Sequence, residues 1–274
     1  MQNRDAGVFS GLDAQCKAIA GRLSGTVGIA VKTLRSGDSF YVNEHEPFPS
    51  ASTIKIHILL ELFNQVKSGK RSLAEMIDVP MSGRVGPLWD QDSSGILKDL
   101  ESVSRISLKD AATLMMIVSD NVATNLIIDL LGIENIQKMI RSLGLRNTKL
   151  QRKMMDRESA ARGLQNLTTP YDLIRTMELI ANAQALDSSS CGAILGIMSR
   201  AQDVMGLRRL IPQTVRLEHK TGDDDDLSHD VGIVSLPHNP FIIAVMTKSV
   251  NFLDGYDAIA EIGKLFYDRL ASRT

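Results

Sequence analysis

Apolar and polar positions divide the chain into three stretches. Near the N-terminus, GLDAQCKAIAGRLS (11–24) repeats its apolar residues at a helical interval. TVGIAVKTL (26–34) and DSFYVN (38–43) read as strands, with a hairpin turn at Ser36-Gly37. From Ser50 to about Val66 the period becomes helical, and it stays mostly helical through the middle of the chain. SLKDAATLMMIVSD (107–120) opens with Ser107 and Asp110 at capping-box spacing. The next two helical patterns stop at Gly132 and Gly144, where glycine suits a helix C-terminus. TTPYDLIRTMELIANA (168–183) has Thr169 as N-cap and Pro170 at the first helical position. Strands return with TVRLEHK (214–220), DVGIVSL (231 onward) and PFIIAVMTK (240–248), with turns at the acidic run 223–226 and at Pro237–Pro240. An amphipathic helix, DGYDAIAEIGKLFYDRLAS, closes the chain.

Five strand candidates at the two ends and helices between them predict an α/β protein of the α+β kind. The ends meet in one antiparallel five-stranded sheet flanked by the terminal helices, and the central helices form a second lobe. The expected arrangement is a single domain over 1–274, with a sheet lobe from 1–47 and 205–274 and a helical lobe from 48–204. Small-molecule sites favour the cleft between such lobes, so the active site is expected there.

Composition narrows the function. A net charge of −1 offers no basic excess to hold a phosphate backbone, which argues against nucleic-acid binding. No apolar run reaches the length of a membrane span. MQNRDAGVFSGLDAQ has no apolar signal core, so the chain as given reads as cytoplasmic, or as periplasmic or secreted after removal of a leader. Cys16 and Cys191 lie in helix-like segments and read as two free thiols. The five histidines are scattered, with no metal-ligand spacing, and no nucleotide loop is present, so neither metal nor cofactor is expected.

Three short motifs carry chemistry. In FPSASTIKIHILLEL (48–62), Lys55 follows Ser52 by three residues at the start of a helical run, and positions three apart share a helix face. A lysine whose charge is disfavoured by burial can take a serine hydroxyl's proton. The bland alternative is a first-turn serine and a solvated lysine, and Ser-x-x-Lys arises by chance about once in a chain of this length. Ser119-Asp120-Asn121 falls between two helices, where a break can turn a hydroxyl and an amide toward a ligand; a plain turn would use the same residues. Lys220-Thr221-Gly222 ends a strand candidate and offers a charge, a hydroxyl and an accessible backbone, or simply runs into a turn. Each triplet is expected by chance in about one chain in twenty or thirty, so their occurrence together, in order, is what counts.

With these motifs, the run SDNVATNLII, the segment TKLQR before a loop and the TTP opening the next helix, the chain resembles the serine β-lactamase and penicillin-binding protein superfamily, specifically the class A β-lactamases, over nearly its whole length. The resemblance implies a β-lactamase/transpeptidase-like fold and a small-molecule β-lactam or related acyl substrate. It implies Ser52 as the nucleophile that becomes acylated and Lys55 as its proton acceptor or relay. Ser119 would pass a proton to the leaving nitrogen, and Asn121 would bond the substrate's side-chain amide. Lys220 and Thr221, with Gly222, would bind the substrate carboxylate, and the amides of Ser52 and Asp223 would form the oxyanion hole. A monomer is expected.

The departures bear on turnover. The class A pattern Arg-x-Glu-x-x-x-Asn, whose glutamate activates the deacylating water, reads here Arg152-Lys153-Met154-Met155-Asp156-Arg157-Glu158. Met154 stands at the glutamate's place, and a methionine cannot activate water. Glu158 is the working candidate for a replacement base; Asp156 is another, and no replacement is the third possibility. The alternative for Glu158 is a helix-surface carboxylate paired with Arg157 or Arg162. Asn166 stands where an aspartate would pair with Arg152, and the loop reads about one residue shorter. After Lys-Thr-Gly, Asp223 to Asp226 put four carboxylates beside the expected anion site, unless they form a solvated hairpin tip. No arginine follows on the next strand; His229 is either a substitute carboxylate partner or an incidental histidine near a turn. Trp89, the single tryptophan, walls the cleft or packs the small lobe.

Three functions follow. The first is a class A-like serine β-lactamase. The second is a D-Ala-D-Ala peptidase or esterase relative. The third is a penicillin-binding module that is acylated and does not deacylate, which Met154 favours.

Overall fold

A computed structural model describes residues 7–273. The chain begins with helix α1 (Leu12–Ala20), strands β1 (Thr26–Thr33), β2 (Ser39–Val42) and β3 (Phe48–Pro49), and a 3₁₀ turn over Ala51–Ile54 that leads into α2 (Lys55–Lys67). Next come β4 (Met76–Asp78), β5 (Arg105–Ser107), α3 (Leu108–Ile117), α4 (Asn121–Leu131) and α5 (Ile133–Ser142). Then follow α6 (Arg157–Ala161), β6 (Leu167–Thr168), α7 (Pro170–Ala181), α8 (Ser188–Met198) and α9 (Leu207–Leu210). The C-terminal part is β7 (Leu217–Asp224), β8 (Leu227–Val234), β9 (Phe241–Lys248) and α10 (Phe252–Ala271).

The two ends meet as expected: the five-stranded sheet has the order β2-β1-β9-β8-β7, and each neighbouring pair is antiparallel. The chain divides into two compact units. One holds residues 1–53, 168–179 and 203–274; the other holds 54–167 and 180–202.

In the sheet unit, alternate residues of the central strands feed one core. Val27, Ile29 and Val31 of β1 and Phe241, Ile243 and Val245 of β9 pack with Leu12 and Cys16 of α1 and Ile259, Ile262 and Phe266 of α10. This period-2 selection is what a strand imposes on its side chains. Phe9, Phe40 and Phe266 close one end, with ring centroids 5.1–6.2 Å apart and edge-on geometry. Residues 168–179, assigned from sequence to the helical lobe, go with the sheet. The Tyr171 amide donates to the Glu44 carbonyl, and Lys32 pairs with Glu178. Gly28 is required beneath them, because a Cβ there would lie 2.7 Å from the Pro170 ring and 2.8 Å from Phe48.

In the helical unit, α2 is the central element, touching α3, α4, α5 and α8. Its apolar residues Ile56, Ile58, Leu59, Leu60 and Leu62 and its polar residues Lys55, His57 and Glu61 are all buried, as befits a helix surrounded on every side. The expected helix signals act as read: Ser107 Oγ accepts from the Asp110 amide at 3.0 Å, and Thr169 Oγ1 accepts from the Asp172 amide at 3.1 Å. The turn glycines Gly132 and Gly144 have positive φ. Both cysteines are free thiols.

Two boundaries differ from expectation. Ser52 sits in the 3₁₀ turn, and the α-helix begins only at Lys55. Strand β8 begins at Leu227, four residues before the expected start. Asp223 and Asp224 therefore belong to β7, and only Asp225 and Asp226 form the turn. Trp89 lies half-buried in an irregular segment, with the Arg84 guanidinium 4.9 Å from its ring centroid. No helix among the described residues is long and apolar enough to cross a membrane.

Candidate active site

The helical unit assembles one group of expected residues around Lys55. The side chain of Lys55 is fully buried. Its Nζ donates to the Ser119 carbonyl at 2.7 Å, to Asn121 Oδ1 at 2.8 Å and to Ser119 Oγ at 3.1 Å. The break between α3 and α4 makes this possible. Ser119 adopts a left-handed φ of 56°, which turns both its carbonyl and its hydroxyl toward the lysine. A non-glycine residue in that region is strained, and such strain persists where the surroundings enforce it. They do so through Asp120, whose Oδ1 caps α4 at the Ala123 amide at 2.8 Å. Its Oδ2 accepts from the Ile96 and Leu97 amides at 2.8 and 2.7 Å. Asn121 also donates to Ser93 Oγ at 3.3 Å.

An ammonium can supply three donors to such a network. A neutral amine has two donors and a lone pair, and the Ser119 hydroxyl can then reverse and donate to it.

The sheet unit holds the other expected residues. Ser52 is half-buried in a turn closed by the Thr53 amide and by Thr53 Oγ1, both donating to the Ser50 carbonyl, at 3.1 and 2.6 Å. Ala51, just before it, has a left-handed φ of 43°. Gly222 on β7 presses against this turn. A Cβ there would lie 2.9 Å from the Ser52 amide nitrogen and 3.1 Å from that of Thr53. Glycine is therefore needed for the approach of two backbones, with the amide of Ser52 beside the strand.

Lys220, two residues before Gly222, is buried and donates to the Thr221 carbonyl at 2.9 Å. Burial lowers its pKa to about 8, against the pull of Asp203, Asp223 and Asp230. Thr221 Oγ1 donates to Asp203 Oδ2 at 2.6 Å. The Tyr256 hydroxyl donates to Asp223 Oδ1 at 2.8 Å, and burial, then the Asp223 carboxylate, raises the tyrosine's pKa.

The remaining candidates have partners of their own. His229 is no substitute for a carboxylate-binding arginine. It is fully buried, its ring nitrogens lie 2.6 Å from the Ser228 carbonyl and 2.7 Å from the Pro49 carbonyl, and burial lowers its pKa to about 4. Glu158 does not join the Lys55 group: its side chain is 83% exposed and pairs with Arg162 at 3.1 Å, which is the helix-surface alternative. Asp156 caps α6 at the Ser159 amide, and that bond holds its carboxyl below the usual range. Asn166 binds the main chain of Arg152, accepting from its amide at 3.0 Å and donating to its carbonyl at 3.0 Å, rather than the guanidinium. Met154 is buried, and Asn125 holds both its main-chain polar groups.

Asp203, Tyr256 and Asn125 were not legible as site residues. Each acts on a partner distant in the chain, and no local spacing marks them. Among the described residues no group of three or more His, Cys, Asp or Glu side chains is placed to hold a metal ion.

Comparison with known proteins finds relatives over nearly the whole chain. Beta-lactamase CARB-4 of Pseudomonas aeruginosa is 24% identical over 97% of this chain and 92% of its own. The crystal structure of a beta-lactamase from Sphaerobacter thermophilus is 29% identical with a TM-score of 0.88, covering 97% of this chain and 99% of that one. A mutant of PBP-A, solved as an acyl-enzyme complex with penicillin G, is 30% identical with a TM-score of 0.83, covering 94% and 95%. The family described as "Beta-lactamase enzyme family" matches residues 11–270, and the chain belongs to it.

Proposed function

We propose that this protein is a serine hydrolase that opens β-lactams through an acyl-enzyme at Ser52, with deacylation as its slow step. The observation that carries the reading is the buried Lys55 amine and its hydrogen bonds to Ser119 and Asn121, three residues after Ser52; as the neutral amine it can take the serine's proton. In the proposed reaction, Ser52 Oγ attacks the lactam carbonyl and its proton passes to Lys55. The amides of Ser52 and Asp223 steady the developing oxyanion. The C–N bond then breaks, and Ser119 delivers the proton to the leaving nitrogen, taking one in turn from Lys55. The product is an ester on Ser52 with the ring open.

Hydrolysis of that ester needs an activated water. Met154 offers no base, Glu158 is solvated on a helix surface and Asp156 is engaged as a cap. The buried methionine favours a second reading, a penicillin-binding protein that keeps its acyl group. The acyl-enzyme complex of the PBP-A mutant with penicillin G is consistent with acylation on this fold.

The test follows a penicillin and a chromogenic cephalosporin optically and by intact-protein mass over time. A Ser52 adduct that accumulates and turns over slowly is expected, absent in Ser52→Ala and in Lys55→Ala. Fast turnover without accumulation overturns the slow deacylation. Acylation surviving in Lys55→Ala overturns the base assignment. No adduct and no turnover points to a peptidase or esterase instead.

A further inference from the structure

The anion-binding pair beside Ser52 already has an anion. A lysine and a threonine hydroxyl next to an exposed backbone edge are the donors that a carboxylate would use. Here Thr221 Oγ1 gives its proton to Asp203 Oδ2 at 2.6 Å, a short bond to a charged acceptor. Asp203 is not a loose surface group that happens to swing in. Its other oxygen accepts from the Met205 amide at 2.9 Å, and it is half-buried.

The surrounding charges make room for a further anion still less favourable. The buried Lys220 amine lies within electrostatic reach of Asp203, Asp223 and Asp230. Asp230 is itself fully buried against His219 Nδ1 at 3.1 Å and the Leu207 amide at 2.9 Å. Asp223 is steadied by Tyr256 at 2.8 Å. Asp203 is held in place and already bonded to Thr221, so an incoming carboxylate would meet like charge where a donor pair alone would attract it.

We propose that Asp203 is a specificity-determining residue: its carboxylate occupies the Thr221 hydroxyl beside Ser52, so the preferred acyl donors carry a neutral or cationic group, not a carboxylate, at that position. This rests on the acyl-enzyme reading above. A substrate that bears the carboxylate must first displace Asp203 from Thr221 or bind with it protonated.

The test compares penicillin G with its methyl ester, which differ only in that charge. The rate of adduct formation on the full-length protein is read by intact mass, with Ser52→Ala as the control for the site. The ester is expected to acylate faster than the acid by about tenfold or more, given like charges a few ångströms apart. Asp203→Asn and Asp203→Ala should each raise the rate with the acid and shift the ester-to-acid ratio by a similar factor. The ratio is internal to each variant, so a general loss of folded protein cannot mimic the change. A wild-type preference for the acid, or a ratio unmoved in both variants, overturns this inference and leaves the acyl-enzyme intact. No adduct from either compound in any variant overturns the acyl-enzyme reading and this inference with it.

Discussion

Asn125 clamps Met154 from both sides of its peptide: Asn125 Nδ2 donates to the Met154 carbonyl at 3.0 Å, and the Met154 amide donates to Asn125 Oδ1 at 2.8 Å. The residue at the expected general-base position is thus held firmly in place by α4, although its side chain has no acid–base chemistry. Positioning and chemistry have separated at this point of the chain.

Replacing the clamp should loosen the loop. Asn125→Ala leaves two buried main-chain groups without their partner, which costs about 1–3 kcal/mol. Urea unfolding should show that loss, and limited proteolysis should cut first within residues 150–166. Unchanged stability would mean that water replaces both bonds.

Restoring the chemistry is a separate experiment. Met154→Glu places a carboxylate on the clamped backbone, and general-base catalysis is worth on the order of 10²-fold or more. The Ser52 adduct in this variant should decay faster by about that factor, read by intact mass after removing excess penicillin. An adduct equally long-lived in the variant would show that the clamp does not aim the side chain at the ester.

Gly222→Ala tests the approach of β7 to the serine turn. A Cβ 2.9 Å from the Ser52 amide nitrogen and 3.1 Å from Ala51 Cβ must push the strand or the turn aside. Loss of an oxyanion donor typically costs about 10²–10³ in rate, and overpacking costs about 1–3 kcal/mol. Acylation should fall far more than stability. Acylation at the wild-type rate would place the oxyanion donors elsewhere.

Acid should destabilise the fold through two buried histidines. Burial lowers the pKa of His57 and of His229 from 6.5 to about 4. Between those values the unfolded chain binds the proton and the folded chain does not, so stability is full above about pH 6.5 and falls as the pH drops toward 4. Each histidine contributes up to about 3 kcal/mol to that loss. His229→Gln should flatten the pH dependence of urea unfolding between pH 6.5 and 4 relative to wild type. An equally steep dependence would mean that His229 is protonated in the fold.

Much of the architecture was legible because its causes are local. The Ser107 and Thr169 caps, the turns at Gly37, Gly132 and Gly144, and the alternation along β1 and β9 each need only a few consecutive residues. The Ser-x-x-Lys, Ser-Asp-Asn and Lys-Thr-Gly motifs were likewise readable as triplets in order. Leu227-Ser228-His229 was not read as strand, because polar residues in sequence look solvated. It is strand because β7 pairs with all three, Leu227 opposite Asp224 and Ser228 opposite Asp223, β9 adds His229 opposite Met246, and the surrounding sheet buries it.

The amino-acid order was enough for the five strands of the main sheet, for several of the longer helices, for the closing of the two ends into one sheet and for a candidate nucleophile. Tertiary structure alone decided which polar groups those residues meet. Asp203 reaches Thr221 from 18 residues away, Asn125 reaches Met154 from 29, and Lys55 reaches Asn121 from 66. Periodicity and capping act within a few residues along the chain, whereas a buried hydrogen bond is satisfied by whatever packing brings within about 3 Å. That distance rule carries no trace in local spacing, so these partners become visible only in the folded chain.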